Sequence, residues 1–151
     1  MAGQDYVPLF LPGCSVTCVA GAAITAGQVV SVTGGTLTPG TPPLFTPVVT
    51  TGTPNSATVS PTVAPTTGAT AEQVGVASNT VPSGGTVAVW FDGVHTLATA
   101  STIAAGDPVT AAASGGVADL GTPATDVADA EIIGHAWSAN LDGVVIVRLN
   151  V

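Results

Sequence analysis

Apolar residues in this chain fall in short Val-rich runs separated by Gly, Pro and Thr, and no helix-length window shows a 3.6-residue period. The same order of runs occurs twice. Residues 24–34 read ITAGQVVSVTG and residues 103–115 read IAAGDPVTAAASG, so Ile24, Gly27 and Val30 match Ile103, Gly106 and Val109, each 79 positions apart. VGVA at 74–77 is answered by IGHA at 133–136, and GTVAVW at 85–90 by GVVIVR at 143–148. Each copy therefore predicts a tight turn at Ile-x-x-Gly, where Gly accepts positive φ without steric cost, then a strand opening on the Val run. Two further short strands follow, joined by segments of turn composition: Pro82, Ser83, Gly84 and Gly85 in one copy, Asp142 and Gly143 in the other. The expected fold is all-β, a small β-sandwich or β-barrel built from two similar halves, about 15–90 and 91–151, within a single domain of residues 14–151. At most, Ala111–Ala113 and Ala124–Glu131 form single turns of helix.

The copies differ in their middle. Residues 36–70 are almost entirely Thr, Pro, Gly, Val and Ala and hold seven of the twelve prolines. Proline lacks a backbone donor and restricts its predecessor, so most of this stretch is not expected to be central strand. Thr58-Val59 and Thr62-Val63 suit short edge pairings, and Leu44, Phe45 and Pro47–Val49 suit anchors to the core. The stretch reads as an extended excursion laid over the protein or over a neighbour, since a structureless loop this long is uncommon in a compact domain. The corresponding part of the second copy, 116–131, is shorter and acidic. Residues 1–13 form an N-terminal arm, flexible over Met1–Asp5 and apolar over Tyr6–Pro12. Tyr6, Leu9, Phe10 and Leu11 need somewhere to dock, at about 1.5–3 kcal/mol per fully buried large side chain, on their own core or on a partner.

Composition sharpens this picture. Apolar residues make 46% of the chain, but mostly as Val and Ala, with three Phe, two Trp and one Tyr. Small and β-branched side chains fill narrow spaces between strands. Glycine and proline number 19 and 12, which favours many turns over long helices. The chain has no lysine, one arginine (Arg148) and nine acids, for a formal charge of -8. Nucleic acid and an anionic membrane surface both require cationic side chains, so neither is an expected partner. Only Asp5 and Glu72 precede residue 90; the other acids follow it. Part of the chain is thus expected to present a nearly neutral surface suited to protein contact. The N-terminal residues lack the basic and uninterrupted apolar regions of a signal peptide, and no apolar run approaches the ~18 residues of a membrane span.

Chemistry is sparse. His95 and His135 stand in different elements, without H-x-x-x-H, H-E-x-x-H or C-x-x-C spacing. Cys14 and Cys18, the only cysteines, suit either a small disulfide or two buried thiols, and no further ligand nearby suggests zinc. Ser83 and Ser114 sit in turn sequences, and Ser15, Ser83 and Ser114 all lack the G-x-S-x-G nucleophile elbow. Asp119, Asp126, Asp129 and Glu131 fit a solvated acidic loop better than a Ca2+ site, since their order differs from that of an EF-hand. A lysine-free chain has no P-loop. Trp90 and Trp137 suit core or interface packing better than ligand stacking. Arg148, in a Val-rich strand, is expected to pair with an acid at a surface or subunit boundary. No cofactor and no enzymatic activity are expected.

Residues 18–30 (CVAGAAITAGQVV), 74–77 (VGVA), 103–109 (IAAGDPV), 133–136 (IGHA) and 143–149 (GVVIVRL) resemble the tailed-phage capsid decoration, or cement, proteins. The resemblance covers about residues 15–35 and 72–151, leaving out the Thr/Pro-rich stretch. It implies a virion protein on the outer surface of the capsid, bound to the major capsid protein, holding neighbouring capsomers together as a homo-oligomer, with a trimer favoured by local three-fold positions. It also implies that the arm, residues 1–13, contacts the shell through Tyr6, Val7, Leu9, Phe10 and Leu11, and that the 36–70 stretch is intersubunit or outward-facing. Leu44 and Phe45, with Arg148 on the strength of its charge, are the candidate intersubunit contacts. The alternative is an adhesin-like or head-fibre module recognising a host surface or glycan, supported by the Thr-rich stretch and the two tryptophans.

Overall fold

The computed structural model describes residues 15–38, 58–69, 74–121 and 132–150; the N-terminal arm and the centre of the Thr/Pro-rich stretch lie outside these residues. The described residues form ten strands: β1 (Ser15–Ala20), β2 (Val29–Thr38), β3 (Thr58–Pro65), β4 (Val74–Ala77), β5 (Thr86–Trp90), β6 (Asp92–Ala98), β7 (Pro108–Ala111), β8 (Val117–Asp119), β9 (Gly134–Ala136) and β10 (Val144–Asn150). Strands β1–β5 close into a barrel in the order β1-β3-β2-β4-β5, and β6–β10 form a sheet in the order β6-β10-β9-β7-β8. The antiparallel pairings of the first half, β1 with β5, β5 with β4, β4 with β2 and β2 with β3, recur as β6 with β10, β10 with β9, β9 with β7 and β7 with β8.

The repeat extends to register. Cys18 pairs with Val87 and Leu97 with Val145; Val16 pairs with Val89 and His95 with Val147. A slip of one residue would turn each strand inside out, so this identity of register puts equivalent positions on equivalent faces. The Ile-x-x-Gly turns are also equivalent. Gln28 N–H donates to Thr25 O (3.1 Å) and Asp107 N–H to Ala104 O (3.2 Å), with Gly27 at φ 83° and Gly106 at φ 95°, as a type II turn requires at its third residue. In both turns the fourth side chain returns the bond: Thr25 N–H donates to Gln28 Oε1 and Ala104 N–H to Asp107 Oδ2, each at 2.7 Å.

The glycine of VGVA and IGHA has a different role, close approach. A Cβ on Gly75 would lie 2.5 Å from Val89 Cγ1 and 2.7 Å from the Trp90 carbonyl oxygen, and one on Gly134 would overlap the Arg148 carbonyl. Where halves differ is closure. The first barrel is shut by parallel pairing of Val19 with Thr62 and Ala20 with Val63. In the second half β6 and β8 are linked only by the isolated parallel bridge Thr99–Val117, leaving a half-barrel.

Two cores result. Cys18, Ala20, Ile24, Val30, Val63, Ala77, Val87 and Val89 fill the barrel. Leu97, Ile103, Val109, Ala111, Val117, Ile133, Ala136, Val145, Val147 and Leu149 fill the second half together with Val29 and Val76, which belong to the first. Because side chains alternate along a strand, β2 and β4 serve as a shared wall: Val30 and Ala77 face the barrel, Val29 and Val76 the second core. Backbone bonds stitch the same junction, Val29 N–H to Gly115 O (2.7 Å), Gly115 N–H to Thr66 O (3.1 Å) and the Thr66 hydroxyl to Ala112 O (2.7 Å).

Two expectations are corrected. Thr58-Val59 and Thr62-Val63 do not make short edge pairings; they belong to the eight-residue β3, which lies between β1 and β2. Its prolines are tolerated because β1 pairs only with Thr62 and Val63, so Pro61 and Pro65 need supply ladder bonds on the β2 side alone. Ala111–Ala113 is not a helical turn: Ala111 ends β7, and a tight turn follows at Ser114 (φ 59°) and Gly115 (φ 71°). Ala124–Glu131 lies outside the described residues.

Candidate interaction surface

Among the described residues the candidate catalytic groups do not converge. His95 points inward, fully buried beside Val147, while His135 lies on the outer face across from Arg148, so one sheet separates the two rings. The His95 Nε2 lies 3.0 Å from the Asp92 carbonyl oxygen. Burial pushes its pKa below the ordinary histidine value, partly opposed by that hydrogen bond and by the Asp92 charge. Cys18 carries a free thiol in the barrel core, its pKa raised by burial; Cys14 lies outside the described residues. Ser83 and Ser114 occupy turns, as expected, beside Gly84 and Gly115 at positive φ. Asp119 accepts from Gly121 N–H (2.9 Å) and so orders its own loop; Asp126, Asp129 and Glu131 lie outside the described residues. Among the described residues no group of three His, Cys, Asp or Glu is placed to hold a metal, and no helix is long and apolar enough to cross a membrane.

Of the residues singled out as contacts, Tyr6, Val7, Leu9, Phe10, Leu11, Leu44 and Phe45 lie outside the described residues. Arg148 is exposed on the outer face of β10, between Val94 of β6 and His135 of β9. It makes no ion pair among the described residues, because neither cross-strand neighbour carries a carboxylate. Trp90 is half-buried, with its indole N–H enclosed and unpartnered. Trp137 is 55% exposed, more than core packing predicts.

Trp137 marks a surface that sequence reasoning did not single out. The β9–β10 connection and the first residue of β10 carry three of the four exposed large apolar side chains among the described residues: Trp137, Leu141 (72% exposed) and Val144 (42%). Leu141 and Val144 exchange backbone bonds, N–H to O at 2.9 and 3.0 Å, across Asp142 (φ 51°) and Gly143 (φ 78°). Positive φ at both central positions is the type I′ hairpin geometry for which Asp-Gly is suited. This turn lifts Leu141 to the tip of the hairpin. Beside it lies a groove of about 340 Å³ lined by Thr96, Ser138, Ala139, Leu141, Val144 and Ile146. A second groove of about 530 Å³ shares Thr96 and Val144 and runs to Gln28 and Gly115 at the junction of the halves. Neither set of walls includes an acid, a histidine or a cation; their hydroxyls belong to Thr96, Ser138, Thr25 and Ser114. The signal in the sequence was an apolar residue directly before a tight Asp-Gly turn, where polar residues are the rule.

A family model described as phage cement protein matches residues 10–151. Among curated protein sequences there is no match. Among solved structures, the base of the head fibre protein gp8.5 of bacteriophage phi29 is similar, with a TM-score of 0.58 and 16% identity over 91% of this chain and 93% of that one. At that identity the likeness is one of fold.

Proposed function

We propose that this chain, which belongs to the phage cement protein family, decorates the outer surface of an assembled phage head and ties neighbouring capsomers together. The observation that carries the proposal is the family match, which spans both halves of the fold and the Thr/Pro-rich stretch as well. Members of the family are structural, non-enzymatic phage proteins, and this chain is one. A doubled β fold whose grooves are lined by small, apolar and hydroxyl side chains suits a protein whose work is contact. Cementing needs many modest contacts repeated by symmetry, and it stabilises the shell by mass action because assembled capsomers are bound better than separated ones. The partner is then the major capsid protein. The working oligomer is a trimer, seated at the local three-fold positions that the family resemblance implies. Residues Tyr6, Val7, Leu9, Phe10 and Leu11 reach the shell, and Leu44, Phe45 and Arg148 meet neighbouring copies.

The test is to add the purified chain to heads that lack it and to follow co-sedimentation and the temperature at which the heads release their DNA. Saturable binding with a higher release temperature is expected. Binding with no change in release temperature would favour the second reading, a fibre base or host-recognition module, which the fold of the phi29 head fibre base supports. Deleting residues 1–11 is expected to weaken binding while leaving the folded body intact.

A further inference from the structure

The two halves share one build, so their equivalent surface positions can be compared directly, and they diverge in two opposite ways. On the β2–β4 wall the first half has Val29 and Val76, which the second half buries completely. The equivalent positions of the second half are Pro108 and His135, half-buried and exposed. This divergence follows from packing within the chain: the second half covers the first, while His135 and Arg148 on the corresponding face are exposed, like the polar outer face of a terminal repeat.

The other divergence runs the opposite way: larger or more apolar residues stand at positions that the described fold leaves exposed or half-buried. Ser78 and Ala88 of the first half correspond to Trp137 and Ile146 through equivalent backbone bonds, Ser78 N–H to Ala88 O (2.8 Å) and Trp137 N–H to Ile146 O (2.7 Å). Pro82 and Thr86, both exposed, correspond to Leu141 and Val144. At all four positions the second half carries the larger or more apolar residue, and three of these are exposed. The scaffold stands without them, as the first half shows. We infer that Leu141, Val144 and Ile146, flanked by Trp137, form the face with which this protein grips the capsid shell protein, and that the first half presents no such face.

Charge selects the occupant. A symmetric contact between two copies at this face would set Asp142 against Asp142, and like charges repel. Asp142 stands exposed at the turn tip between Leu141 and Val144. The complementary surface is therefore an apolar depression on another protein, rimmed by a cationic side chain that meets Asp142. An exposed apolar anchor entering a pocket has the anatomy of an interface hot spot.

The inference rests on the cement reading, and its test separates the two. The double variant Leu141→Ser, Val144→Thr gives the second half the polar character of the first, and its thermal midpoint reports whether it folds. Its affinity for heads lacking the protein is measured by co-sedimentation beside the full-length wild type and the first-half control Val16→Ser. A loss of at least tenfold in the double variant, with Val16→Ser unchanged, is expected. Equal binding by the double variant and wild type would overturn the face while leaving the cement reading standing. Failure of the wild type to bind would overturn that reading itself. Wild-type self-association that the double variant abolishes, with head binding unchanged, would also overturn the inference and assign the face to a second copy.

Discussion

The first half of this protein is a closed barrel, the second an open half-barrel leaning on it, and the two were built from one pattern of turns, pairings and registers. Their difference teaches what the pattern is for. Four pairs of core positions keep their apolar character in both halves, Cys18 and Leu97, Ile24 and Ile103, Val30 and Val109, Val87 and Val145, whereas buried His95 stands at the position of the exposed Val16. Positions facing outward are free to diverge, and they do so according to what lies against them. Val29 and Val76 are apolar because the second half covers them; Leu141 and Val144 are apolar and yet exposed.

The comparison is broken most severely at the close-approach glycines. Gly134→Ala drives a Cβ into the Arg148 carbonyl and Gly75→Ala drives one against Val89 and Trp90, so both should cost more than about 3 kcal/mol. Chemical denaturation should show losses of similar size in the two variants if the halves are equivalent. A smaller effect is expected from Leu97→Ala, about 2–5 kcal/mol for a fully buried leucine. Its counterpart Cys18→Ala removes fewer atoms from the barrel and should cost less in the same assay.

A titration separates the halves further. His95 is buried at the position that Val16 occupies in the first half, and its pKa is lowered in the folded chain. The folded state therefore binds fewer protons than the unfolded one once pH falls below the ordinary histidine value of about 6.5. The stability that neutral His95 supports is complete above that pH and declines as pH falls toward the folded pKa. Denaturation midpoints measured from pH 7.5 to pH 5 should fall in the wild type, and less steeply in His95→Leu. The smallest effect is expected at the exposed hairpin, where Leu141→Ser should change stability by no more than about 0.5 kcal/mol.

Much of this was legible in the sequence. Ile24, Gly27 and Val30 against Ile103, Gly106 and Val109 located the turns, and VGVA against IGHA located β4 and β9, because tight turns and close approach admit few residues. The opening strands of each half were not legible. Ser15–Ala20 and Asp92–Ala98 share only the alternation that places Cys18 and Leu97 inward, a pattern many sequences satisfy. The inner position of β3 was hidden by Pro61 and Pro65, whose restrictions argue against a paired strand until its one-sided pairing is known. Of the proposed contact surface, Trp137 was noticed as a packing residue, but its neighbours Ala136 and Ser138 carry no pattern that marks it as exposed. Leu141 drew no notice because one leucine beside a turn carries no period.

The central claim, that this protein cements a phage head from outside, is tested most directly by cryo-electron microscopy of native particles that contain it. The account predicts density on the outer face of the closed shell, with each copy or trimer bridging neighbouring capsomers and the Leu141–Val144 hairpin seated on the shell protein. Density confined to a fibre or tail, with the capsid surface bare, would contradict it.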